Sequence, residues 1–264
     1  MAHILDNPIW NALTTGNAAL AEGDEEVKLF PADIAPFVGL RAIDPIHLGR
    51  LYERVTPDRV VAIVSPTAIE IPAEWKIMFP VEALQMVYNP PPATAPADAS
   101  APPPASASKL PASAATPGAS APKPPHAEPK LIPLGDQHIP AMLELTTLTN
   151  PGPFFQRTIL FGSYTGIFDG TELVAMAGFR MHPGDFIEVS AVCTRPSHLG
   201  RGYARTLIIH LVGVIRKQKC TPFLHVRADN TRAIEVYHQL GFTTRQKMSI
   251  NFIKKKSPAS GGIS

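Results

Sequence analysis

The sequence predicts an α/β (α+β) layer fold, and three observations carry that prediction. Over residues 131–253, helix-like apolar periods alternate with short runs rich in β-branched and aromatic residues. One of those runs, Phe186 to Cys193, leads into a glycine-rich turn that opens a helix. A proline- and alanine-rich stretch separates this region from the first 89 residues.

Residues 1–89 read as a small N-terminal α+β lobe. Asp44 to Arg54 suits a short helix, and Arg59 to Val64 is a strand ended by Ser65-Pro66. Trp75 to Phe79 and Ala83 to Tyr88 are further strand runs. The lobe carries no chemical motif, so its expected role is to pack on the next domain or extend its sheet, and to shape a pocket there. Residues 90–130 are expected to form a disordered linker. Thirteen of the chain's 29 prolines fall there, and proline fixes φ and lacks an N–H, so few residues remain to build a core.

Residues 131–253 are the chemically informative domain. Ile139 to Thr147 is a helix candidate, stopped by Asn150-Pro151-Gly152-Pro153. Tyr164 to Phe168 and Leu173 to Met181 form a hairpin turned at Asp169-Gly170. Phe186 to Cys193 is the next strand, and Tyr203 to Lys217 is a helix with Ala204, Leu207, Ile208, Leu211 and Ile215 on one face. Phe223 to Arg227 is a strand, Thr231 to Leu240 a helix with Gly241 as its cap, and Met248 to Ile253 a last strand. Residues 254–264, opening on Lys254-Lys255-Lys256, are expected to be a disordered basic tail.

Bulk properties exclude several classes. A net charge of +2 gives no reason to expect nucleic acid. Two cysteines make no disulfide framework. No apolar run reaches the roughly 20 residues that span a bilayer, and the first twenty residues hold Asp6, Asn7, Asn11 and Asn17 rather than a secretory signal. The expectation is a cytoplasmic protein with no membrane partner and no metal.

The turn Leu199-Gly200-Arg201-Gly202-Tyr203-Ala204 aims bare backbone N–H groups and the positive end of a helix at one spot, which suits a phosphate. It is not the dinucleotide fingerprint, because Arg205 stands where the third glycine belongs, and no Gly-Lys-Ser/Thr follows to make a P-loop. This turn does match the Gln/Arg-x-x-Gly-x-Gly/Ala mark of the GNAT superfamily, the acyl-CoA-dependent N-acyltransferases, with Gly202 and Ala204 as the small residues and Leu199 replacing the usual Gln or Arg. A second mark, Asn-x-x-Ala-x-x-x-Tyr-x-x-x-Gly-Phe, matches at Asn230, Ala233, Tyr237, Gly241 and Phe242. Residues 131–253 thus resemble a GNAT domain. Val192-Cys193-Thr194 with Pro196, and Phe223 to Val226, resemble the branch holding the C-terminal domains of glycine N-acyltransferase-like proteins.

The resemblance implies a mixed, mostly antiparallel sheet covered by helices on both faces and splayed between two strands. It implies acetyl-CoA or another acyl-CoA as co-substrate and a small amine or amino acid as acceptor. The pantetheine arm would pair beside Ala191, Val192 and Cys193; Gly200, Arg201, Gly202 and Tyr203 would hold the phosphates; Asn230 would anchor the arm beside Ala233. Tyr237 would protonate the leaving thiolate. Glu188, on one strand face with Ser190 and Val192, is the candidate base. His225 is its rival; His182 and His198 lie in turns. Arg157 and Arg180 are available to an acidic acceptor. The alternative is a non-catalytic CoA-binding or interaction module on a degenerate GNAT fold. Oligomeric state is not encoded legibly.

Overall fold

The computed structural model describes residues 3–90 and 129–256. Most of the expected linker, and the tail beyond Lys256, therefore lie outside the described residues.

The N-terminal segment starts with helix α1 (Pro8–Thr14), whose first residue is the proline that tolerates lacking an N–H there. A small antiparallel sheet follows, made of β1 (Glu22–Gly23), β2 (Val27–Leu29) and β3 (Val38–Leu40). Helix α2 (Pro45–Arg54) is capped by the Asp44 carboxylate, which accepts the His47 N–H at 2.9 Å. Next come β4 (Val61–Ser65) and β5 (Trp75–Tyr88). The two runs expected on either side of Pro80 are one continuous strand. Pro80 stands opposite Asn251 of the last strand of the chain, but its other edge lies beyond Ala83, where the pairing of β5 on that edge ends, so a missing donor there leaves no gap in a ladder.

After the linker come β6 (Ile132–Pro133), α3 (Ile139–Thr149), β7 (Thr165–Asp169), β8 (Glu172–Phe179), β9 (Phe186–Thr194), α4 (Tyr203–Lys217), β10 (Thr221–Arg227), α5 (Thr231–Gln239) and β11 (Phe242–Lys255). Asn150, in the left-handed region at φ 46, ends α3. Strand β11 runs on through Lys254 and Lys255, which pair with Lys76 and Trp75, so the basic run is not a free tail. The Lys255 ammonium sits 4.4 Å from the centre of the Tyr52 ring, a contact that favours holding the strand to its end.

Eight strands make the main sheet, in the order β4-β11-β5-β10-β9-β8-β7-β6. Every neighbouring pair is antiparallel except β9 and β10. The N-terminal segment adds more than an edge: β5 stands between β10 and β11. Helices α4 and α5 cover one face, where Leu207, Leu211, Ile215 and Tyr237 meet Met86, Leu224 and Val226. Helices α1 and α3 cover the other, where Leu13, Met142 and Leu145 meet Phe223, Met176 and Cys193. Each fully buried aliphatic side chain contributes about 1.5–3 kcal/mol, so both faces hold the sheet. Among the described residues no helix is long and apolar enough to cross a membrane.

Candidate active site

The parallel pair β9 and β10 is joined at only three positions, Phe186↔Thr221, Ile187↔Pro222 and Glu188↔Phe223. Beyond these the strands run on to Thr194 and Arg227 unpaired with each other, which opens a gap in the middle of the sheet. Four features converge on that gap.

The first is the turn into α4. Gly200 and Gly202 have φ of +78 and +79, a region that side-chain-bearing residues enter at a cost, and a Cβ on either would meet open space. Gly202 caps α4 without a side chain, and the first bond back to it comes from Thr206 N–H at 3.0 Å. Among the described residues the N–H groups of Tyr203, Ala204 and Arg205 therefore have no partner and face the open cradle. Thr194 Oγ1, at the end of β9, is also buried without a partner. These orphan donors fit a phosphate-bearing co-substrate. Leu199 is 52% exposed at the rim. His198 braces the turn, bonding Asp169 at 3.0 Å and Ser197 at 2.9 Å.

The second is a bulge in β9. Ser190 faces Gly178 and Cys193 faces Met176, so Ala191 and Val192 together oppose Ala177. Ala191 takes φ 51 to achieve this. The bulge breaks the strand alternation and corrects the expected facing. Val192 packs on the α4 side, whereas Ser190 and Ala191 line a pocket on the opposite side. A bulge also leaves backbone groups outside the ladder, free to bond a ligand.

The third is a buried polar chain. Glu188 has no exposure; Arg180 grips it with two donors, Nε at 2.8 Å and Nη2. His225 Nδ1 lies 2.8 Å from the same carboxylate. Gln85 on β5 accepts from Arg245 through Oε1 at 2.8 Å, so its amide nitrogen donates to Leu5 C=O at 2.9 Å and to His225 Nε2 at 3.0 Å. That fixes the His225 proton on Nδ1, facing Glu188. Against the desolvation that would raise it, the Arg180 charge and hydrogen bonds hold the Glu188 carboxyl down at about 2. A carboxylate so occupied has little affinity for an amine proton, and the His225 Nε2 lone pair is already taken. The sequence reading missed Gln85 and Arg245; a lone amide inside the apolar run Ala83 to Val87 was the available signal.

The fourth is α5. Asn230 caps it, its Oδ1 accepting the Ala233 N–H at 3.1 Å, while its amide nitrogen has no partner among the described residues. Tyr237 lies in the apolar cluster that includes Val192, Tyr203 and Ala233. Burial pushes its phenol up to about 12, and its hydroxyl has no hydrogen bond among the described residues.

Across the sheet, Ser190 and Ala191 line a small cavity of about 10 Å³, shared with Pro151 to Phe154, Thr158, Tyr164 and Arg180. The Tyr164 ring fills the space a side chain on Gly178 would need. The N-terminal segment braces this wall: Thr158 Oγ1 donates to Ile34 C=O at 2.6 Å, and the Arg180 guanidinium lies 4.9 Å over Phe37. Both arginines expected to greet an acidic acceptor have a carboxylate partner, Arg157 with Asp33 in an exposed pair at 3.2 Å and Arg180 with Glu188 through Nε and Nη2.

Residues 164–250 match the family described as FR47-like protein. The whole chain superposes on a solved structure from Novosphingobium aromaticivorans described as a GNAT-family acetyltransferase, with a TM-score of 0.76 and 27% identity, over 97% of this chain and 100% of that one. The fold is that of a GNAT acetyltransferase. The superposition spans both sides of the proline-rich stretch, so the N-terminal segment belongs to the architecture shared with that structure. Two other solved N-acetyltransferase structures overlap at lower scores. One is the ribosomal-protein-S18-alanine N-acetyltransferase of Escherichia coli, with a TM-score of 0.40 and 21% identity over 52% of this chain and 99% of that one. The other is the PaiA N-acetyltransferase of Thermoplasma acidophilum in complex with coenzyme A, with a TM-score of 0.39 and 14% identity over 49% of this chain and 100% of that one. A comparison with curated proteins found no match.

Proposed function

We propose that this protein is an acyl-CoA-dependent N-acyltransferase that passes an acetyl group to a small primary amine. The observation that carries the reading is the gap between β9 and β10, with an open cradle of N–H donors on the α4 face and a pocket on the other. A thioester entering from one face and an amine from the other would meet at the Ala191 bulge.

In the reaction the amine nitrogen bonds the thioester carbonyl carbon, the C–S bond breaks, the nitrogen loses a proton and the thiolate gains one. Backbone N–H groups freed by the bulge suit the developing oxyanion. Tyr237 suits the thiolate: with its phenol pushed up to about 12 it stays protonated at neutral pH, and the burial that weakens it as an acid also makes the desolvated thiolate more basic. Glu188 takes a positioning role, fixing Arg180 and His225 behind the pocket.

Gly202→Glu should abolish acetyl-CoA binding in calorimetry while the circular dichroism spectrum is kept, because it sets a carboxylate and a strained backbone where the anion belongs. Wild-type protein that binds no acetyl-CoA would refute the reading. Tyr237→Phe should lower kcat by about 100-fold with little change in the KM for acetyl-CoA. The engagement of Glu188 favours one second reading, a CoA-binding module without turnover. Absence of thiol release with every amine tested, despite measured CoA affinity, would select it.

A further inference from the structure

A groove of about 460 Å³ lies on the α4 and α5 face of the sheet, toward the C-terminal end of α4. Arg216 in its lining stands about 21 Å along the helix from Gly202, at about 1.5 Å per residue. The apolar walls are Ile208, Ile209 and Val212 of α4, Leu240 after α5 and Tyr88 at the end of β5. Ile209 is exposed there. Gly213 also lines the groove, inside a helix where glycine costs about 1 kcal/mol against alanine. A Cβ at Gly213 would meet no atom within 4 Å, so no neighbour requires a glycine, and the missing side chain leaves the groove open. Arg216 and Lys217 complete the lining. Cations in the last turn of a helix commonly serve its carbonyl end. Here the Arg216 guanidinium instead lies over the Tyr88 ring, 6.0 Å from its centre. The ion pairs among the described residues use other cations, so neither of these two has a carboxylate partner there.

We infer that this groove binds a small soluble carboxylate with an apolar body, alkyl or aryl. Charge complementarity selects the occupant. The walls take hydrocarbon out of water at about 25 cal/mol per Å², and the Arg216 guanidinium offers paired donors to a carboxylate, with Lys217 beside it. A neutral ligand of the same shape forgoes those bonds, and a cationic one meets two like charges. The volume falls within the roughly 300–1,000 Å³ of small-molecule pockets. None of these residues belongs to the cradle, the bulge or the gap between β9 and β10, so the site does not depend on the acyltransferase reading.

The test titrates the full chain with octanoate, octanol and octyltrimethylammonium and follows the backbone amide NMR signals of Ile209, Gly213 and Arg216. Octanoate should shift these signals saturably, with a Kd about tenfold or more below that of octanol, and the cation should leave them unmoved. Arg216→Ala should weaken octanoate about tenfold and bring it level with octanol. Gly213→Trp fills the groove from a position with room for a side chain, and should abolish the shifts while the rest of the spectrum shows the fold kept. Absence of shifts with octanoate overturns the inference, as does equal affinity for the three probes or an unchanged octanoate Kd in either folded variant. Nuclear Overhauser contacts between Gly213 and residues 91–128 would place the chain's own segment in the groove and also overturn it. Shifts of the same signals with protein concentration alone would assign the groove to a second copy, with the same consequence.

Discussion

A chain beginning at Pro129 should fail to fold, although it contains both sequence marks of the acyltransferase domain. Strand β5 pairs with β11 at thirteen positions and with β10 at five, and it is the strand that stands between them. Removing residues 1–90 takes away that strand, the fully buried Met86, and the Gln85 amide that closes the polar chain to His225. Two central strands would then expose unpaired backbone edges and an apolar face, a loss exceeding the 5–15 kcal/mol by which a typical domain is stable. The expected result is insoluble protein or a fragment without a cooperative urea transition. Co-expression of residues 1–90 as a separate chain should restore a soluble complex that binds acetyl-CoA, because the described pairing joins residues 75–88 to residues 223–255. A cooperatively folded, CoA-binding fragment 129–256 would refute this account of the sheet.

Breaking the Glu188 ion pair should be the most damaging single polar substitution. Glu188→Gln leaves the Arg180 guanidinium buried against a neutral amide, and losing one partner of such a pair costs about 3–5 kcal/mol. The effect has a pH signature. The ordinary carboxyl value of 4.5 is depressed to about 2 in the fold. Its stabilisation is therefore complete above 4.5 and is lost as pH falls through about 2. A shift of this size corresponds to about 3 kcal/mol. Urea unfolding of wild type and variant should show a gap of that order at pH 7, shrinking between pH 4.5 and 2. A gap that stays constant over that range would mean that packing, not charge, holds Glu188.

Much of the site was legible in the sequence because it is local. Glycines at 200 and 202 announce a turn that only they adopt without strain, and Asn230 with Tyr237 at helical spacing announces a capped helix that buries Tyr237. The helix Tyr203–Lys217 was readable residue for residue from its apolar period. The bulge was not, because nothing in Ser190-Ala191-Val192 distinguishes a bulged strand from a regular one. The bulge exists because β8 offers one residue, Ala177, opposite two.

By itself, then, the sequence determined the elements, the cradle before α4 and the residues that face it, since these follow from φ preferences and periodicity along one stretch of chain. Tertiary structure alone decided that β5 enters the sheet from before residues 91–128, that Glu188 is held rather than free, and that Arg157 meets Asp33. Each of those depends on partners such as Gln85, Arg180 and Asp33, drawn from segments remote in the chain. A side chain's charge is written in the sequence, but whether that charge is available depends on what lies within hydrogen-bond reach, and that is set only when the layers close.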